Sequence, residues 1–156
     1  MGAIDSRLAE LGIALPPAAA PVANYVPFVR AGDLVFISGQ LCLGADGAID
    51  PAHKGKLGAQ VSEEAGRAAA RVCAINLVAQ LRAAIGDLDR VTRCVRLGGF
   101  INCTPDFGPV PQVMNGASDL MVEIFGDKGR HARSTIGVAQ LPLDAAVEVE
   151  GVFQVL

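Results

Sequence analysis

The stretch from Ser62 to Ile85 constrains this chain most. Helix formers dominate it, and apolar residues near 68, 72, 75, 78, 81, 85 and 88 step by threes and fours along one face. Ser62 is placed to cap its start, Glu63 and Glu64 sit where the helix dipole favours carboxylates, and Gly86-Asp87 ends it. A long helix with one apolar face needs a surface to cover. The flanking segments supply it, because on both sides the apolar period falls from between three and four to two.

Two β-rich runs between Tyr25 and Leu43, "NYVPFVRA" and "LVFISGQL", flank Gly32-Asp33, a hairpin turn signal. Residues 90 to 101 alternate as a strand, and the breakers Pro105, Gly108, Pro109 and Pro111 lead into a second helix, "VMNGASDLMVEIFG", weakened by Gly116. "RSTIGVAQ" and "AVEVEGVFQVL" flank Leu141-Pro142-Leu143-Asp144 and read as two strands of a terminal hairpin. In the last run Val147, Val149, Phe153 and Val155 share one face, and Glu148, Glu150 and Gln154 the other. Residues 1–21, with a short helix near 5–12 and the connector "PPAAAP", form an N-terminal arm, and 22–156 form the domain.

The order ββαβαββ specifies an α+β fold, a mixed sheet with two helices on one face. The other face is left open. Val35, Ile37, Ile136 and Val138 make strands apolar on both sides in places, so burial against another copy is expected, giving a closed homo-oligomer.

Composition narrows the function. With 156 residues, a net charge of −3, one Tyr and no Trp, the chain is one domain that lacks both the basic stripe and the aromatic platform that nucleic acids call for. No run approaches the roughly 20 uninterrupted apolar residues of a membrane span, so a soluble, cytoplasmic protein with no membrane partner is expected. Cys42, Cys73, Cys94 and Cys103 contain no C-x-x-C pair and are expected as reduced, mostly core thiols. There is no G-x-S-x-G, H-E-x-x-H, Walker or G-x-G-x-x-G motif. His53 and His131 have no third ligand at suitable spacing and read as loop or cap residues, so neither metal nor cofactor is expected.

What remains is acid–base chemistry by scattered polar groups. Arg133, at a strand start and alternating with Thr135, Gly137 and Ala139, can fork onto a carboxylate, or serve as a solvated or ion-paired arginine. Glu148 and Glu150 become proton-transfer groups if an interface desolvates them, and an ordinary polar face otherwise. Gly39, in Ser38-Gly39-Gln40, allows a ligand to approach the backbone or marks a bulge. Tyr25 can wall a pocket or simply pack.

The segments "NYVPFVRAGDLVFISGQ", "AINLVAQLRAAIGDLDRVTRCVRLGGFI" and, most specifically, "ARSTIGVAQLPLDAAVEVEGVF" resemble the RidA/YjgF family of enamine/imine deaminases. The resemblance covers about residues 22–156 and implies a chorismate-mutase-like fold in a homotrimeric barrel with clefts between subunits. It implies hydrolysis of 2-imino or 2-enamino acids to 2-oxo acids and ammonia, without cofactor. In that family pattern Arg133 holds the substrate carboxylate and Glu148 positions or activates water. Tyr25 and Gly39 line the cleft, and Asn115 corresponds to an asparagine of the second helix. Thr135 stands where the deaminase archetype has cysteine. The N-terminal arm and the Gly/Pro-rich expansion from Asn102 to Gln112 depart from the archetype. A trimer that binds small carboxylates without catalysis is the alternative; a ribonuclease role fits the acidic balance and the lack of a His pair poorly.

Overall fold

The computed structural model describes residues 1–156. Its strands are β1 (Phe28–Ala31), β2 (Leu34–Leu41), β3 (Val91–Asn102), β4 (Ala132–Val138) and β5 (Val147–Val155), and its helices are α1 (Ala3–Glu10), α2 (Glu63–Ile85) and α3 (Val110–Phe125). The strands form one sheet in the order β1-β2-β5-β3-β4. β1 and β2 make the expected hairpin, with Ala31 opposite Leu34 and Gly32 at φ 63°, a left-handed conformation that glycine adopts without a steric penalty.

β4 and β5 are not a hairpin. β5 lies between β2 and β3, antiparallel to both, and β4 runs parallel to β3 at the edge, joined to it through α3. Burial explains the choice. Every second residue of β5 from Val147 to Val155 is buried, so this strand fits the centre of the sheet, whereas β4 leaves Ile136 52% exposed at the rim. The turn that carries the chain past β3 holds Leu143 and Asp144 at φ 57° and 56°.

α2 caps as its sequence predicts, with Ser62 Oγ accepting from the Ala65 N–H. It has the length and apolarity of a membrane-crossing helix, but most of its apolar window is packed inside the fold. α2 and α3 lie on one face of the sheet and pack on each other, enclosing Leu77, Leu81, Met114, Leu120 and Phe153. α3 starts three residues before the sequence pattern suggests, because proline is tolerated in a first helical turn and Pro111 sits there. α1 is docked on α3: Leu8 is buried in the core, Arg7 Nε donates to the Glu123 carbonyl, and the Asp89 carboxylate accepts from the Ala3 and Ile4 N–H groups.

One sequence expectation about the open face is corrected. Val35 and Ile37 are buried under the helices, and the apolar residues that β1 and β2 expose are Val29 and Phe36, the opposite parity of the same strands. All four cysteines are free thiols, and Cys42, Cys73 and Cys94 are buried.

Gly116 weakens α3 as an isolated helix, yet it is the point where α3 meets α2. A Cβ there would run into the Arg67 carbonyl oxygen of α2. Gly116→Ala gains about 1 kcal/mol of helix propensity but overpacks a backbone contact, a penalty of about 1–3 kcal/mol. We expect a net loss of about 1 kcal/mol, read as a lower urea midpoint at unchanged slope; equal or greater stability would contradict this packing.

Candidate functional site

The site candidates fall into two groups on opposite faces of the sheet. On β4, Arg133 pairs with Leu97 of β3, whose side chain is fully buried under the helices, so Arg133 shares the helix-covered face. From there its Nη1 donates to Asn115 Oδ1 at 2.8 Å and to Ser118 Oγ at 3.0 Å, and its Nη2 donates to the Pro111 carbonyl at 3.2 Å. All three acceptors belong to α3. A guanidinium has five N–H donors, and those not engaged belong to Nε and Nη2, the two nitrogens of one edge. That edge matches a carboxylate. Thr135 lies two residues along the same face, and its Oγ1 is buried without a hydrogen-bond partner.

Behind Arg133 lies a contact that residue spacing does not announce. His131 Nδ1 lies 2.6 Å from the Gly129 carbonyl, which can only accept, so Nδ1 carries the proton. The neutral ring then offers Nε2 as an acceptor, and Ser118 Oγ, 2.8 Å away, donates to it. Burial and the nearby Arg133 charge hold His131 below the ordinary imidazole range, against the opposing effect of the Gly129 bond. His131 lies in the loop before β4, as its sequence position allows, and its side chain is in addition linked through Ser118 to Arg133. A histidine two residues before that arginine was the only available signal.

The second group faces the other way. Glu148 pairs with Phe100, which pairs with Ile136, and these three side chains share the open face. β2 bulges at Ser38-Gly39, since Ile37 pairs with Gly151 but Gln40 with Val149. A Cβ on Gly39 would collide with Glu148 Oε1, so this glycine lets the carboxyl lie directly against the bulge. The bulge considered for Gly39 is present, and the group that lies against its backbone is the Glu148 side chain. Tyr25, 48% exposed, shares a recess with Gly39, Gln40 and Gln80. Gln80 also donates to the Ala19 carbonyl and to Gln40, tying the connector that precedes Tyr25 to α2.

Electrostatics separates the two glutamates. Arg96 lies 3.6 Å from Glu150, whereas Glu148 makes no ion pair. Burial, and secondarily the Glu150 charge, raise the Glu148 carboxyl above its ordinary value.

One chain brings Arg133, Asn115 and Thr135 together, and separately Glu148 and Gly39, with Tyr25 in a recess beside Gly39 that α2 also lines. It cannot join the groups, because the sheet itself stands between them. No cluster of His, Cys, Asp and Glu suited to a metal is present.

The chain matches, over residues 5–154, the model of the family described as "YjgF/chorismate mutase-like, putative endoribonuclease". It belongs to the YjgF family. Protein TCP17 of Trypanosoma cruzi is 48% identical over 98% of this chain and 94% of its own length. Atu1372 of Agrobacterium tumefaciens, a protein of unknown function, has a solved structure that is 40% identical with a TM-score of 0.89, covering 98% of this chain and 94% of that one. A "putative endoribonuclease" from Shewanella oneidensis is 34% identical with a TM-score of 0.94, covering 99% and 100%. The YjgF-like fold is the one the sequence motifs imply, and the family match includes most of α1.

The raised Glu148 carboxyl carries a stability signature. A raised folded-state pKa means that the native state binds the proton more tightly than the unfolded one. This contribution is fully present below the unfolded pKa and is lost as pH rises through the folded pKa. Glu148→Gln removes the cost of ionising there, so it should melt higher than wild type at pH 7, with the difference vanishing below about pH 4. A variant that melts lower at pH 7 would contradict the assigned environment.

Proposed function

We propose that this YjgF-family protein hydrolyses reactive 2-imino acids, and their 2-enamino tautomers, to 2-oxo acids and ammonia in clefts between copies of the chain. The assembly is a homotrimer whose open sheet faces line an inner barrel, acting in the cytoplasm. The observation that carries the reading is the Arg133 fork, held on three sides by α3 with one edge free and an unpartnered Thr135 hydroxyl beside it.

The chemistry suits a sparse site. A protonated imine is already electrophilic, so the protein has only to orient it and place a water against its carbon. Arg133 grips the carboxylate, Asn115 holds the guanidinium, and Thr135 offers a hydroxyl to the bound acid. Glu148 of a neighbouring copy, with Gly39 and Tyr25 forming its wall, takes a proton from water as oxygen bonds to the imine carbon. The resulting carbinolamine collapses as Glu148 returns that proton to nitrogen, the C–N bond breaks, and the hydroxyl proton passes to the departing ammonia, which leaves as ammonium with the 2-oxo acid. Burial raises the Glu148 carboxyl, which makes it a stronger base toward water and able to carry that proton until it is returned. No cofactor or metal enters this sequence.

Sharing of the site between copies is supported by what the open face exposes. Val29, Phe36 and Ile136 are 53%, 44% and 52% exposed, and a cavity of about 370 Å³ opens there between Phe36, Arg96, Glu150 and Val152. Burying that apolar surface and completing the site are then one event.

The test is a coupled assay in which a threonine dehydratase generates 2-iminobutyrate and 2-oxobutyrate release is followed. Wild type should accelerate release, and Arg133→Ala should lose about 30- to 1,000-fold in efficiency, equivalent to about 2–4 kcal/mol. No acceleration, with Arg133→Ala indistinguishable from wild type, would favour the carboxylate-binding module without catalysis.

A further inference from the structure

We propose that Ser118 and His131 are positioning residues for Arg133: the imidazole, fixed by Gly129, holds the Ser118 hydroxyl hydrogen so that its oxygen faces the guanidinium and keeps the carboxylate-binding edge turned into the cleft. The inference rests on Arg133 as the carboxylate anchor and names two residues that the family pattern does not supply.

The geometry is a chain of directed hydrogen bonds. The Gly129 carbonyl determines which imidazole nitrogen is protonated, Nε2 accepts from Ser118, and Ser118 Oγ accepts from Arg133 Nη1. Each link settles the direction of the next. Without the imidazole the hydroxyl can rotate and turn its hydrogen toward Arg133, and one of the three restraints on the guanidinium is lost. Asn115 Oδ1 and the Pro111 carbonyl would remain, so the side chain stays near its place but with more freedom about its long axis.

The Ser–His contact is not a nucleophilic pair. An oxygen that accepts from a guanidinium has one of its two lone pairs held by a cation, which draws electron density away from the other. The remaining neighbours agree with a positioning role. The cleft around this relay, about 300 Å³, is lined by Ser118, Asp119, Val122, Arg130, His131 and Arg133. Arg130 and Asp119 make no hydrogen bond to the relay, so the three-residue chain is the hydrogen-bonded route by which His131 reaches Arg133.

A positioning residue for a carboxylate clamp acts on ground state and transition state alike, because the carboxylate does not change during the reaction. Its loss should therefore raise KM and leave kcat nearly unchanged. The experiment compares Ser118→Ala, His131→Phe and His131→Gln in the coupled assay, and measures 2-oxobutyrate binding by calorimetry as a readout independent of turnover. Ser118→Ala and His131→Phe should each raise KM and the Kd for 2-oxobutyrate by about tenfold with kcat within about twofold. His131→Gln, whose amide oxygen can accept from Ser118 and which cannot protonate, should recover most of the affinity. Nitrogen NMR of wild type at neutral pH should show His131 protonated at Nδ1 and bare at Nε2. Melting temperatures verify folding, and Ser118→Ala, the smallest change, serves if His131→Phe fails to fold.

Unchanged Kd in Ser118→Ala, or His131→Gln no better than His131→Phe, would overturn the relay. So would the opposite tautomer, or a wild type that binds no carboxylate. A wild type that binds 2-oxobutyrate and loses affinity in the variants, yet accelerates no deamination, would support the relay and sink the deaminase reading.

Discussion

Arg133 can present a rigid fork only because α3 supplies acceptors for its other edge. Asn115 and Ser118 stand three residues apart on one helical face, and the Pro111 carbonyl belongs to the first turn, where carbonyl and side chains converge on the same strand. Those acceptors reach β4 because α3 is the crossover between β3 and β4, so the helix lies against the strand that follows it. The Gly116 contact sets how closely α3 approaches α2, and hence where these acceptors sit over the sheet edge. Core packing and anchor geometry are therefore one problem.

The pleat imposes the second constraint. Residues that alternate along a strand cannot meet across the sheet, so an anchor on the helix side and a carboxyl on the open side belong to different surfaces of one chain. The exposed Val29, Phe36 and Ile136 and the desolvated, unpaired Glu148 lie together on the open side, where a second copy would cover apolar surface and a poorly solvated acid together. In the proposed assembly, edge strand β4 and bulged strand β2 would be the parts of two copies that approach each other. The bulge at Ser38-Gly39 gives the Glu148 carboxyl room to lie against the backbone.

Much of the fold is legible in the chain because period encodes exposure. α2, the β1-β2 hairpin and the two faces of β5 follow from spacing alone, since each is decided by neighbours close in sequence. Period says nothing about which strand lies beside which. β4 and β5 read as a hairpin because they are consecutive with a turn between them, and only competition for the centre of the sheet separates them. Val35 and Ile37 were ambiguous for a related reason: a strand apolar on both sides does not reveal which parity faces the helices. At the site, Arg133, Glu148, Tyr25, Gly39, Thr135 and Asn115 were nameable from strand position and motif. The link from His131 to Arg133 was not, because it passes through Ser118, and joining a helix residue to one before the next strand requires the packed structure.

The central claim is that each site takes its anchor from one copy and its acid–base group from another, and subunit mixing tests it most directly. Arg133→Ala and Glu148→Gln, each inactive as a pure oligomer, would be unfolded together, refolded at equal ratio and assayed for imine hydrolysis. Random assembly pairs an intact Arg133 with an intact Glu148 at about one site in four, so about a quarter of wild-type activity should return. A mixture as inactive as its components would place both residues in a single chain's site and contradict the account.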